Sequence, residues 1–252
     1  MRRGRLLGTL GVAALVLAGC TTAPQTSKAP SKSKPVVYVA VGASESVRVG
    51  LSDPLVNAWT QLFYRGSLKP SAVFVNMAVP DSTALQALQA QTPTAVSLKP
   101  TVATVWLNVN DVLGGVDPSV YGRELRSIVS TLSRDGATVL VANTPPLQLL
   151  PGYLNCLSGQ ERAARTFSCP SPVPSPAALQ SEVAAYNAQI ASVTSSTGAV
   201  LVNLNAAYGP AVRAGSETSL VGPDGINPSN AGQALVAHTF AAALASHSHS
   251  RS

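Results

Sequence analysis

The chain has 252 residues, 46% of them hydrophobic and only 11% charged, enough for one α/β domain with a sizeable core. Its formal charge of +6 sits in the wrong place to bind polyanions: Arg2, Arg3, Arg5, Lys28, Lys32 and Lys34 all precede residue 36, and beyond it 11 basic residues face 11 acidic ones. A nucleic-acid partner needs a concentrated basic face, and the balance excludes one.

At the N-terminus, Met1-Arg2-Arg3-Gly4-Arg5 is basic, and residues 6–19 carry no charge. That run is shorter than the roughly 20 residues of a membrane span but suits a signal peptide over residues 1–19. It ends in Leu17-Ala18-Gly19-Cys20, which resembles the lipobox of bacterial lipoproteins, implying cleavage before Cys20 and its lipidation. An ordinary secretory signal followed by a chance cysteine is the alternative. Residues 20–35 hold no large apolar side chain and read as a disordered tether. The expected address is the outer face of the cell membrane, with the bilayer a partner through Cys20.

From residue 36, Val-rich runs alternate with helical patterns. Strands are expected at 36–41, 72–76, 102–108, 138–143 and 200–204, nearly continuous in apolar character as in a parallel sheet covered on both faces. Asp53-Pro54, Asp117-Pro118 and Ser175-Pro176 read as N-cap and first-turn pairs, for helices reaching about residues 68, 134 and 196. Pro228 opens a last helix to about residue 245, within a domain spanning 36–246, and 247–252 reads as a disordered tail. This alternation predicts a three-layer α/β/α fold. Between strands four and five, 145–174 is a Pro-rich excursion containing Cys156 and Cys169. In an exported protein these two cysteines are expected to pair, two free thiols being the alternative. No spacing suggests metal ligands, and no cofactor is implied.

Ligands on such sheets bind beyond the C-terminal strand ends. The first strand ends in Gly42-Ala43-Ser44-Glu45-Ser46, where a serine just past a buried strand can expose its hydroxyl. The second ends in Asn76-Met77-Ala78-Val79-Pro80-Asp81-Ser82 and the third in Asn108-Val109-Asn110-Asp111. Near the C-terminus stands Asp224-Gly225-Ile226-Asn227-Pro228-Ser229.

In order and spacing these segments resemble the SGNH/GDSL hydrolases over nearly the whole domain. The resemblance implies a flavodoxin-like five-stranded parallel sheet and an esterase-type serine hydrolase. It places Ser44 on the nucleophile, Asp224 on the orienting acid and Asn227 on the catalytic histidine. Ser44, the Asp81 region and Asn110 fall on the oxyanion hole. Departures gather at the site: Ala43 for the usual Asp, Asp81 at or near a glycine, Asn108 for another glycine, Asn203 for a frequent Asp, and Asn227 for the base.

A serine hydroxyl is a poor nucleophile until a base takes its proton, and an amide cannot accept one. His238 lies 11 residues beyond Asn227, about 16 Å along a helix, while Glu45 could serve only with a raised pKa. Three functions are therefore in view. The first is an SGNH-type lipoprotein acting on carboxylic esters, its activity weak or lost. The second is a pseudo-hydrolase binding an envelope glycan, lipid or peptide in the old cleft. The third is a scaffold that contacts partners through 145–174.

Overall fold

A computed structural model describes residues 35–47, 53–159, 169–213 and 220–250. Cys20, the signal segment and nearly all of the tether lie outside the described residues. Five parallel strands form one sheet: β1 Val37–Gly42, β2 Val73–Asn76, β3 Val102–Trp106, β4 Thr138–Ala142 and β5 Val200–Val202. Their order is β2-β1-β3-β4-β5. The order reverses at β1, which pairs with β2 on one side and β3 on the other. Such a reversal opens a crevice at the C-terminal strand ends, where the loops carrying Ser44, Asp81 and Asn110 emerge.

Alternation along the strands builds two cores. Val39, Val41, Ala103, Val105, Val139 and Val141 face one helical layer, with Tyr121, Leu125, Ile128, Val183, Tyr186 and Ile190. That layer includes α6 (Pro118–Ser133) and α8 (Pro176–Thr197). Tyr38, Ala40, Leu140, Ala142 and Val202 face the other, with Trp59, Phe63, Val236 and Phe240. There α2 (Trp59–Ser67) packs on α10 (Asn230–His249) through Trp59 and Phe240, stacked at 4.4 Å between ring centroids.

The capping signals hold at two of the expected starts. Asp117 accepts from Ser119 N at 2.8 Å and Val120 N at 3.3 Å, and Ser175 accepts from Ala178 N at 3.2 Å. The other expected helices shift. The segment expected as one helix from residue 53 is two, α1 (Pro54–Asn57) and α2, broken at Ala58 with ψ 136°. The break leaves Trp59 N–H to donate to Gln233 Oε1 at 2.7 Å, a long-range bond that no local pattern announces. The last helix starts after Ser229, whose Oγ accepts from Gly232 N at 3.2 Å, rather than at Pro228. It runs to His249, so the segment expected as a disordered tail is helical for its first three residues. The third strand stops at Trp106, short of residue 108, because Asn108 leaves the ladder and donates through Nδ2 to Ala142 O at 3.2 Å.

Several helices were not anticipated. Between β2 and β3 lie α3 (Ala84–Gln86), a π-helical turn (Ala87–Gln91) and α4 (Thr92–Ser97). Three more are α5 (Val109–Leu113), α7 (Pro151–Leu157) and α9 (Leu204–Arg213). The 145–174 excursion thus contains a helix, and Cys156 on it is bonded to Cys169. No described helix is long and apolar enough to cross a membrane.

Closing a loop of 13 residues' separation contributes about 3 kcal/mol in the chain-entropy account. Replacing Cys156 and Cys169 together by serine should lower the urea-unfolding free energy by about that amount. An unchanged midpoint would show that the bond does not constrain the unfolded chain.

Candidate active site

Gly42 ends β1 against neighbours that leave no room for a side chain: a β-carbon there would collide with Ser46 and lie 3.2 Å from Trp106 O. Gln91, only 2% exposed, grips this residue from both sides. Its Oε1 accepts from Gly42 N at 3.0 Å, and its Nε2 donates to Gly42 O at 3.0 Å and to Ser82 Oγ at 3.1 Å. The strand end is thereby fixed, and the chain turns at once into a 3-10 turn, Ser44–Ser46. Asn76 secures the far side of that turn, its Nδ2 donating to Ser46 O at 2.8 Å.

Ser44 is 8% exposed, and its hydroxyl is engaged twice. Oγ donates to Asp81 Oδ1 at 3.0 Å, and the backbone N–H of Asp81 donates back to Oγ at 2.9 Å. Asp81 itself has φ +61°, the left-handed region in which glycine is at ease. An aspartate therefore holds a glycine's conformation, and its N–H points at the serine hydroxyl.

Asn110, third in the block Asn108-Val109-Asn110-Asp111 after β3, donates through Nδ2 to Ser82 O at 3.1 Å. Its neighbour Asp111 is fully buried and receives Ala84 N on both carboxylate oxygens, at 3.1 and 3.0 Å. Burial pushes the Asp111 carboxyl up to about 7, against the lowering effect of the Ala84 bond. These bonds tie the β3 loop to the β2 loop, so Ser44, Asp81 and Asn110 belong to one hydrogen-bonded group.

Asp224 and Asn227 form a second group. Asp224 Oδ1 accepts from Ile226 N at 3.0 Å and Asn227 N at 2.9 Å, while Oδ2 accepts from Asn227 Nδ2 at 2.7 Å. The loop is pressed against α7: Gly152 N donates to Gly225 O at 2.9 Å, and a β-carbon on Gly225 would meet Gly152 N at 2.5 Å. Gly225 has φ +78°, so both the conformation and the contact require glycine there. The Pro-rich excursion thus acts as a buttress for the Asp224–Asn227 loop.

Gln233 joins the two groups through Nε2, which lies 3.4 Å from Glu45 O and 3.5 Å from Pro228 O. Glu45 and Asn227 also line one cavity of about 20 Å³, with Trp106, Tyr208 and Ile226 among its walls; it has room for about one water. Glu45 is 4% exposed, and its Oε1 has no hydrogen-bond partner among the described residues. Burial pushes its carboxyl up to about 7, with Asp111 and Asp81 adding to the rise. Glu45 makes no hydrogen bond to Ser44 among the described residues. His238 is exposed on α10, and His249 lies in that helix's last turn with Nδ1 2.7 Å from Ala245 O. Asn203, in place of an acid, accepts from Asn143 Nδ2 at 2.9 Å and Ala206 N at 3.0 Å, which caps α9. Among the described residues no group of three His, Cys, Asp or Glu is placed to hold a metal.

The sequence profile of the GDSL-like lipase/acylhydrolase family matches residues 40–235. The chain belongs to that family. Among curated proteins no sequence match is found. The fold is that of solved family members at low identity. TesA has a TM-score of 0.61 at 19% identity, covering 82% of this chain and 97% of its own. The psychrotrophic esterase EstA from Pseudoalteromonas sp., solved inhibited by monoethylphosphonate, has 0.60 at 15%, covering 84% and 98%. A lipase/acylhydrolase from Enterococcus faecalis has 0.61 at 14%, covering 82% and 94%.

Within this GDSL-like frame, Gln91 and Gly152 were not singled out in the sequence. Their partners lie 49 and 73 positions away, and no short motif marks them. Two predictions follow from the packing at the site. Gln91→Leu strips the buried Gly42 N–H of its partner, leaves the Gly42 carbonyl to Val79 N alone, and should lower the unfolding free energy by about 1–3 kcal/mol, measurable by urea titration. Glu45 holds its proton when folded up to about pH 7, against about 4.3 for an exposed glutamate. Its contribution is therefore whole below pH ~4.3 and is lost as pH rises through 7. Glu45→Gln, which cannot ionise, should gain in relative stability over the wild type between about pH 4 and pH 8. A pH-independent difference would contradict this assignment.

Proposed function

We propose that the protein is a membrane-anchored lipoprotein of the GDSL-like family with an esterase-type site on its extracytoplasmic face, its turnover weak or lost. The observation that carries this reading is the 2.7 Å bond from Asn227 Nδ2 to Asp224 Oδ2. In a serine triad the acid receives an imidazole N–H and the far ring nitrogen takes the serine proton. Here an amide makes the first contact and has no second nitrogen to make the other. Loss of the triad histidine in a serine protease costs about 10⁶ in rate and leaves roughly 10³ to 10⁴ over water. The same arithmetic puts this site at slow hydrolysis at best.

The membrane address rests on Leu17-Ala18-Gly19-Cys20 and the apolar run before it. Substrates in reach of such an anchor are acyl or acetyl esters of lipids and polysaccharides.

A second reading is binding without turnover of an envelope glycan, lipid or peptide in the old cleft; a cavity of about 450 Å³, which none of the five site residues lines, offers further room for a ligand at the end of α5. Val112–Gly115 at and just beyond the end of α5, Pro170, Ser171, Pro172 and Pro174, and Glu182 of α8 line it. Its volume falls in the range of small-molecule sites.

A short-chain chromogenic ester distinguishes the two. With the full-length chain in detergent, wild-type hydrolysis should be slow and absent in Ser44→Ala, whereas Asn227→His should raise it by about 10² or more. Binding of an acylated glycan with no Ser44-dependent hydrolysis in any variant would favour the second reading.

A further inference from the structure

The missing imidazole leaves the question of where the Ser44 proton goes. A general base must lie within about 2.6–3.2 Å of the proton it takes, and geometry has priority over pKa in choosing it. Among the described residues one titratable side chain meets that condition. The Ser44 hydroxyl donates to Asp81 Oδ1 at 3.0 Å. Glu45 lines the cavity shared with Asn227 and makes no hydrogen bond to Ser44 among the described residues, and Asp111 is spent on Ala84 N. His238 is exposed on α10.

We propose that Asp81 is a catalytic residue of this site, the carboxylate base that takes the Ser44 proton in place of the histidine. The proposal rests on the esterase-type reading above. Ser44–Asp81 is a nucleophile and base in direct hydrogen-bond contact. The base is in turn oriented: its own N–H holds the same Oγ at 2.9 Å, and the φ of +61° that permits both contacts is locked by that ring. Asp tolerates the left-handed region better than most residues, so the position admits it without glycine.

In the acylation step the Oγ–H bond of Ser44 breaks and the proton passes to Asp81 Oδ1. Oγ bonds to the ester carbonyl carbon, and the carbonyl electron pair moves onto its oxygen. The tetrahedral species then expels the alkoxide, which recovers the proton from Asp81 and leaves as the alcohol. For deacylation Asp81 takes a proton from water, the hydroxide oxygen bonds to the acyl carbon, and Ser44 departs with that proton. Charge balances at each stage. A carboxylate beside a developing oxyanion is unfavourable, but Asp81 is a neutral acid at the moment the oxyanion exists. Its O–H is then a donor in the region where the family's glycine would offer only a backbone N–H.

The test uses the full-length chain in detergent, a short-chain chromogenic ester and a serine-directed fluorophosphonate read by intact mass. Wild type should hydrolyse the ester and take one phosphonyl group at Ser44. Asp81→Asn and Asp81→Gly should each lose both activities by about 100-fold or more. Adding Asn227→His to Asp81→Asn should restore hydrolysis, which shows that the variant is folded. Hydrolysis in Asp81→Gly equal to or above wild type would overturn the proposal, because the carboxylate would then be an obstruction to the oxyanion. A silent wild type beside an active Asn227→His would also overturn it, while leaving the lost-base reading intact. Silence in every variant would overturn both.

Discussion

The mouth of the sheet depends on how Gly42 leaves β1. Its amide and carbonyl are both held by the Gln91 side chain, and the space where a β-carbon would sit belongs to Ser46. The carbonyl also accepts from Val79 N at 3.2 Å, but the buried N–H left without a partner would cost about 1–3 kcal/mol. Gln91 removes that cost and, through Ser82, draws the β2 loop onto the same anchor. Ser44 then has one place to be. Asn76 fixes the turn that carries it, Asn110 and Asp111 fix the loop beyond Asp81, and Gln233 brings the C-terminal loop alongside.

Within that rigid frame the chemistry has been redistributed. The acid–base side of a serine triad is present in outline, Asp224 still receiving an N–H from the side chain three residues on, but that side chain cannot carry a proton. The oxyanion side holds the carboxylate instead. Asp81 occupies a backbone conformation suited to glycine and turns both its N–H and its side chain toward Ser44. In the mechanism proposed above the two positions are complementary in chemistry: the proton-accepting capacity that Asn227 lacks is supplied by Asp81. Preorganised donors for the oxyanion are thinned in exchange, because Asp81 N–H and one Asn110 amide hydrogen are already engaged. The proposed slow turnover would follow from that exchange as much as from the missing imidazole.

What could be read in the chain and what could not divides along the range of the forces involved. Val-rich runs placed all five strands, since burial on both faces writes itself locally. Asp117 and Ser175 were readable as caps because each bonds backbone two or three residues away. The break at Ala58 was not, because its cause, Gln233, lies 174 positions from Trp59. The excursion at 145–174 gave no sign of its helix or of its contact with Gly225. At the site, Ser44, Asp81, Asn110, Asp224 and Asn227 were all named from the order of short motifs. Their partners were not: that Asp81 faces Ser44 as a hydrogen-bond acceptor is a property of a φ angle and a strand register, neither of which a motif records.

The claim at the centre of this account is that Ser44 is activated without an imidazole. The most direct measurement is the phosphonyl adduct at Ser44, read by intact mass before and after the chain's three histidines are blocked with diethylpyrocarbonate. One adduct per chain, formed at the same rate in both preparations, is the result expected. An adduct that fails to form, or one that disappears when the histidines are blocked, would contradict it.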